Sequence, residues 1–233
     1  MENDSKDKPF MIIYHRALNN KEPDIRTLEN QVNILGRYIT GRKPALALHG
    51  DLTEYYGILF FAHNYNTKTF DTLRDIGFAS HFKETIKYIR ENHPETTLYI
   101  ELKPGITKNG MKQVVNILKE NEIHDYMYDS ISGKELDLAH DMDYGCMTSY
   151  HLMGYFNGIE IPSVPSLAPR HKYTVTTIPY ITTIGNPKMP MIYGMVNSLK
   201  RLQKAAEKDN VVGAIIRFDD SNIIKIVGKS MSY

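Results

Sequence analysis

The chain lacks the means for most cysteine chemistry. Cys146 is its single cysteine, which excludes an internal disulfide framework and any cysteine-rich zinc site, and no histidine-bearing signature surrounds it to suggest a thiol nucleophile. No apolar run reaches the length of a membrane-spanning helix. Neither sign of charge dominates: 28 basic and 27 acidic residues are interspersed, so there is no polybasic face for nucleic acid or an anionic membrane. Neither Gly-x-Gly-x-x-Gly nor Gly-Lys-Ser/Thr occurs, so no glycine-rich loop cradles a nucleotide phosphate. The opening Met-Glu-Asn-Asp-Ser-Lys-Asp-Lys is charged and mixed in sign, with no long apolar segment after it. Residues 1–8 are therefore expected to be a frayed terminus, and the protein to be soluble and cytoplasmic.

What is present is an alternation of short apolar runs and helical stripes. Phe10–His15 carries β-branched Ile12 and Ile13 and no helical period, which suits a buried strand. It ends in His15-Arg16. Leu28, Val32, Leu35 and Tyr38 fall at helical spacing, with Thr27 as the expected cap. Ala45–Asp51 reads as a second strand whose alternation sets Ala45, Ala47, His49 and Asp51 on one side. Tyr56-Gly57 turns the chain into Ile58–Ala62, closed by His63-Asn64. Phe82, Ile86 and Ile89 mark a helix with Ser80 as its expected cap. Thr97–Lys103 is a third strand with Tyr99, Glu101 and Lys103 on one face, cut off by Pro104-Gly105.

Met111, Val114, Val115 and Leu118 make a further helix, expected to open near Asn109. Strand-like Asp125–Tyr128 and helical Leu136–Ala139 follow. From Tyr144 to Ile192 the pattern weakens amid prolines, with strands expected at Cys146–Ser149, Gly158–Ile161 and Thr174–Ile178. It recovers in a strand at Met191–Val196, a helix through Leu199, Leu202 and Ala205, and strands at Val211–Arg217 and Ile223–Val227. Alternating β and α signals predict a parallel sheet with outer helices. At 233 residues the fitting fold class is α/β, a TIM (β/α)8 barrel, as a single domain over 9–233.

In such folds ligands bind at the C-terminal ends of the strands. There the pattern delivers His15, Arg16, His49, Asp51, His63, Glu101 and Lys103. Two imidazoles can serve as base and acid, carboxylates can hold a cation, and Arg16 and Lys103 can share the charge of phosphoryl oxygens. Each residue also has a plainer reading. The histidines at 15 and 63 suit solvated strand ends, His49 a core histidine bonded to backbone, and Glu101 with Lys103 a simple ion pair.

These residues resemble the glycerophosphodiester phosphodiesterases, whose barrel is shared by the phospholipase-D toxins of spider venom. That family has His-Arg after the first strand, Glu-x-Asp followed by Thr and Gly on the second, then His-Asp, then Glu-Leu-Lys on the third. Here stand His15-Arg16, His49-Gly50-Asp51 with Thr53 and Gly57, His63-Asn64, and Glu101-Leu102-Lys103. Gly194–Asn197 is similar to the family's Trp-Thr-Val-Asn strand, and Val212–Ile216 to its closing Gly-Val-x-Gly-Ile strand. The family's Gly after His-Arg is Ala17. Either Asp51 matches the metal-binding Asp and His49 replaces the Glu, or His49 matches that Asp and Ala47 replaces the Glu; the first retains an acid and is preferred.

The resemblance implies a metal-dependent phosphodiesterase that releases an alcohol and a phosphomonoester from a small-molecule, lipid-derived diester. His15 and His63 would be the acid and base. Arg16 and Lys103 would bind the phosphate. The metal, Mg or Ca with Mn an option, would sit on His49, Asp51 and Glu101. Replacing a carboxylate by imidazole should shift preference from Mg toward Mn. The alternative is a weak or inactive relative that binds a phosphate headgroup.

Overall fold

The computed structural model describes residues 9–19, 23–39, 41–62, 79–143, 146–152, 155–156, 159–160, 173–176, 191–196 and 198–217. The expected strand at 223–227 and the His63-Asn64 pair lie outside them. By contact density the chain divides into two compact units.

The first unit contains β1 (Phe10–His15), α1 (Ile25–Gly36), the first residues of β2 (Pro44–Tyr55), the hairpin β8 (Tyr155–Phe156) and β9 (Ile159–Glu160), β10 (Tyr173–Thr176), β11 (Met191–Val196), α5 (Leu199–Ala206) and β12 (Val211–Arg217). Strands β10, β11, β12 and β1 run side by side and parallel, with Met11 level with Gly213 and His15 level with Arg217. The crossover from β11 to β12 is α5, capped by Ser198, whose hydroxyl accepts from the Arg201 amide at 3.4 Å. Its stripe of Leu202, Ala205 and Ala206 is buried, as are Ile12, Ile13 and Tyr14 of β1 and Ala214–Ile216 of β12. At the foot of β1 the Phe10 amide donates to the Lys43 carbonyl at 2.8 Å. The Arg42 guanidinium lies 5.1 Å above the Phe10 ring.

The second unit contains a 3-10 turn (Ala17–Asn19), β2 from Leu48 onward, β3 (Ile58–Ala62), β4 (Ala79–His81), α2 (Phe82–Asn92), β5 (Thr97–Leu102), α3 (Lys108–Glu120), β6 (Tyr126–Ser130), α4 (Gly133–Met142) and β7 (Met147–Leu152) as far as Tyr150. Its strands lie in the order β7, β6, β5, β2, β3, β4. β5, β6 and β7 are parallel, whereas β2, β3 and β4 are joined antiparallel. The apolar stripes predicted from sequence are the buried ones: Phe82, Ile86 and Ile89 on α2, and Met111, Val114, Val115 and Leu118 on α3.

Local details differ from expectation. Helix α1 starts at Ile25, two residues before the expected cap Thr27. Ser80 is not a cap: it ends in strand β4, its hydroxyl donating to the Leu18 carbonyl at 2.8 Å and accepting from Thr85 at 3.0 Å. Helix α3 opens at Thr107 rather than Asn109, because Thr107 Oγ1 accepts the Gly110 amide at 3.0 Å. Glu54 of β2 holds that cap, taking the Thr107 amide at 2.7 Å and its hydroxyl at 3.0 Å. No helix among the described residues is long and apolar enough to cross a membrane.

Gly50 shows why a glycine separates His49 from Asp51. A Cβ there would lie 2.5 Å from the Phe61 ring and 2.7 Å from Leu18 Cβ, so the outer face of β2 has no room for a methyl. Gly50→Ala is expected to cost about 1–3 kcal/mol by overpacking, read as a lowered denaturant midpoint with an unchanged m-value.

Candidate functional site

The site is built within the second unit, on Arg16 and on β2 and β5. Arg16 takes a left-handed backbone, φ 62°, which a non-glycine residue adopts at a cost of about 1 kcal/mol or more. That conformation turns the chain sharply into the 3-10 turn, closed by the Asn19 amide on the Arg16 carbonyl at 3.1 Å. It also aims the Arg16 amide at His49 Nδ1, 3.2 Å away. The buried Asn19 is set against Asp51, accepting the Asp51 amide at 3.2 Å and donating from Nδ2 to Oδ2 at 3.3 Å.

Period-2 alternation puts His49 and Asp51 on one face of β2, and Tyr99, Glu101 and Lys103 on one face of β5. The two strands are neighbours, and the Lys103 amide donates to the Leu52 carbonyl at 2.9 Å. The side chains therefore meet. Lys103 Nζ lies 2.7 Å from Asp51 Oδ1 and also bonds Glu101 Oε1. Arg16 Nε lies 3.2 Å from Asp51 Oδ2, and His49 Nε2 lies 3.2 Å from Glu101 Oε2. Tyr99 packs beside the His49 ring, centroids 5.5 Å apart.

Exposure sorts these groups by sign. The side chains of Asp51 and Glu101 are 0% and 6% exposed, whereas those of Arg16 and Lys103 are 40% and 22% exposed. The cluster hides its acids and shows its cations. Burial alone would push the Glu101 carboxyl up, but the bond from His49 and the Lys103 ammonium outweigh it and hold the group at about 2. Burial likewise opposes the Lys103 charge, yet Asp51 and Glu101 raise its pKa above the usual lysine value.

The sequence reading missed two members. Asp129 of β6 stands level with Glu101 and is fully buried; ligand atoms of His49, Glu101 and Asp129 all lie within 4.8 Å of one another. Its signal was an acid directly after the apolar run Tyr126–Tyr128. Asn19 lay in a stretch read only as polar loop. His15 is the last residue of β1, as expected. Cys146, pushed up to about 12 by burial and then by Asp143, remains a protonated thiol at neutral pH, in keeping with its exclusion as a nucleophile.

No protein-family model and no curated protein matches the sequence. Solved structures do. A glycerophosphodiester phosphodiesterase from Parabacteroides distasonis superposes with a TM-score of 0.63 at 14% identity, covering 96% of this chain and 99% of that one. One from Agrobacterium tumefaciens gives 0.58 at 12% identity, over 94% and 99% of the two chains. A phosphodiesterase from Oleispira antarctica, in complex with the product sn-glycerol-3-phosphate, gives 0.60 at 14% identity over 97% and 98%. The chain has the TIM-barrel fold of these phosphodiesterases. At such identities the likeness is one of fold, and the chemistry must be argued from the side chains.

Those side chains test the metal that the resemblance implies. His49, Glu101 and Asp129 are of the right types and close enough together. An imidazole and two buried carboxylates make a donor set that fits a divalent cation. Held there, it would supply Lewis-acid stabilisation of phosphoryl oxygens. Asp51, on the neighbouring strand, faces Lys103, Arg16 and Asn19.

Proposed function

We propose that the protein hydrolyses a glycerophosphodiester, or a related lipid-derived phosphodiester, to an alcohol and a phosphomonoester. The observation that supports this most is the sorting of charge at the cluster: Arg16 and Lys103 reach solvent while the acids that orient them are buried beneath. A phosphodiester carries one negative charge, which grows on its equatorial oxygens as the transition state forms. A guanidinium and an ammonium fixed by buried carboxylates meet that charge without reorganising.

His15 and His63 are the proposed acid–base pair. One takes the proton of the attacking hydroxyl as its oxygen bonds to phosphorus; the other protonates the departing alkoxide as the P–O bond breaks. The attacking hydroxyl belongs either to water or to the substrate's own glycerol, which would give a cyclic intermediate opened by water in a second step. The fold shared with the phosphodiesterases adds support, since the glycerol phosphate bound by the Oleispira antarctica protein is the phosphomonoester half of such a substrate.

The test is turnover of glycerophosphocholine and glycerophosphoethanolamine against simple phosphomonoesters, read as release of glycerol phosphate. Diester turnover without monoester turnover is the expected result. Saturable diester binding with no product in hours would replace the enzyme by a phosphate-headgroup binding module.

A further inference from the structure

The hairpin between β2 and β3 breaks two local rules at one residue. Tyr55 pairs with Ile58, so the connection is the two residues Tyr56 and Gly57, with φ 47° and 77°. Positive φ at both positions is the type I′ turn, whose first position favours Asn, Asp or Gly because a bulky side chain is strained there. Tyr56 nevertheless occupies it and is 85% exposed. Stability alone favours neither the strain nor the bare ring, and such departures from local preference mark functional positions.

Ile58, on the other side of the turn, is also exposed, and the Tyr55 ring lies 4.3 Å from that of Tyr56. The tip is apolar but firmly mounted. Gln113 of α3 donates to the Gly57 carbonyl at 3.4 Å, and the Glu54 carboxylate grips Thr107 at the start of the same helix. These contacts set α3 beside the tip. Lys108 directly follows Thr107, Lys112 directly precedes Gln113, and both are exposed, whereas Glu54 is bound to the Thr107 cap. Charges that the sequence intersperses are thus separated in space here. The third large apolar side chain exposed among the described residues is Ile131. It follows Ser130, whose hydroxyl donates to the Leu102 carbonyl at 2.7 Å. All three therefore stand at the end of the second unit where Arg16 and Lys103 reach solvent.

Single apolar side chains on a surface are ordinary. A strained and braced tyrosine, an exposed isoleucine beside it and lysines alongside are the composition of an interfacial anchor: the ring sits at headgroup level and the ammonium groups attract anionic lipid. We propose that the Tyr56-Gly57-Ile58 tip, with Lys108 and Lys112, docks the protein on a lipid surface bearing anionic headgroups. The contact is reversible, since so small an apolar tip falls short of stable anchoring. As the place where a lipid-derived diester is met, the docking rests on the phosphodiesterase reading. As membrane binding it stands alone.

The test uses the full chain and co-sedimentation with unilamellar vesicles of phosphatidylcholine, alone or with about 30 mol % phosphatidylserine. Wild type is expected to bind the anionic vesicles, to bind plain phosphatidylcholine about tenfold more weakly, and to be released by about 0.5 M NaCl. Tyr56→Asn suits the turn better than tyrosine does, so it should melt no lower than wild type while binding vesicles about five- to tenfold more weakly. Its turnover of soluble glycerophosphocholine should match that of wild type. Lys108→Glu combined with Lys112→Glu should abolish the preference for anionic vesicles.

Wild type that stays in the supernatant with anionic vesicles overturns the proposal, and a tip that served a protein partner would give that result. So does equal binding to both vesicle types, or Tyr56→Asn that sediments like wild type. Loss of soluble turnover in Tyr56→Asn overturns it too, because the tip would then belong to the substrate site. Should wild type bind anionic vesicles yet turn over no diester, only the phosphodiesterase reading falls. Diester turnover without vesicle binding removes only the present inference.

Discussion

His15→Ala and His63→Ala are each expected to lower diester turnover by about two to four powers of ten, the range for loss of a positioned acid or base. The leaving alkoxide is far more basic than water at neutral pH and must depart protonated, so the acid's loss should fall at the severe end. The base's loss should be milder on a substrate whose own hydroxyl attacks. For His15 the melting temperature should hardly move, because this polar residue terminates β1 and lies beyond its apolar core residues. Steady-state rates over pH 5 to 9 provide the check. Wild type should give a bell-shaped profile, and each variant should lose one limb. Near-native rates for both variants on a verified diester substrate would refute the two-histidine mechanism.

The parts of the site that sequence reveals are those governed by local geometry. Strand alternation is a property of the backbone, so His49 with Asp51, and Glu101 with Lys103, could be paired on their faces before any partner strand was known. The same holds for the buried stripes of α2 and α3. What alternation cannot supply is register between strands. Asp129 joins Glu101 because β6 pairs residue for residue with β5, and the sequence pattern had let that strand lapse at Tyr128, one residue short of the acid.

Asn19 reaches Asp51 only because Arg16 adopts a left-handed turn, which no arginine announces. Ser80 has a cap's chemistry but spends it on the Leu18 carbonyl. The same gap separates residue type from contact at His49, whose Nδ1 accepts the Arg16 amide only because of that turn. Sequence thus paired groups on their own strands, while their partners across strands had to come from the structure.

Glu101→Gln should be strongly destabilising, and its pH dependence distinguishes an electrostatic cause from simple repacking. The carboxyl titrates at about 2 in the folded protein against an ordinary value of 4.5. A difference of that size is linked to roughly 3 kcal/mol of stability at neutral pH. The sign follows from the direction of the shift. A depressed pKa means that the folded state favours the charged form, so the contribution is complete above the unfolded value of 4.5 and drains away as pH falls toward 2. The groups responsible are His49 and Lys103, opposed by Asp51 on the neighbouring strand. Lys103, whose pKa is raised, keeps its charge throughout this range and loses it only above the ordinary lysine value.

Chemical unfolding of wild type and Glu101→Gln at a series of pH values should therefore show a gap that is constant from about pH 5 to 8 and narrows steadily below 4.5. Glutamine matches glutamate in size and can still accept from His49 Nε2, so lost volume cannot produce that slope. A gap independent of pH would mean that Glu101 serves packing alone, and its ion pair with Lys103 would carry no weight in stability.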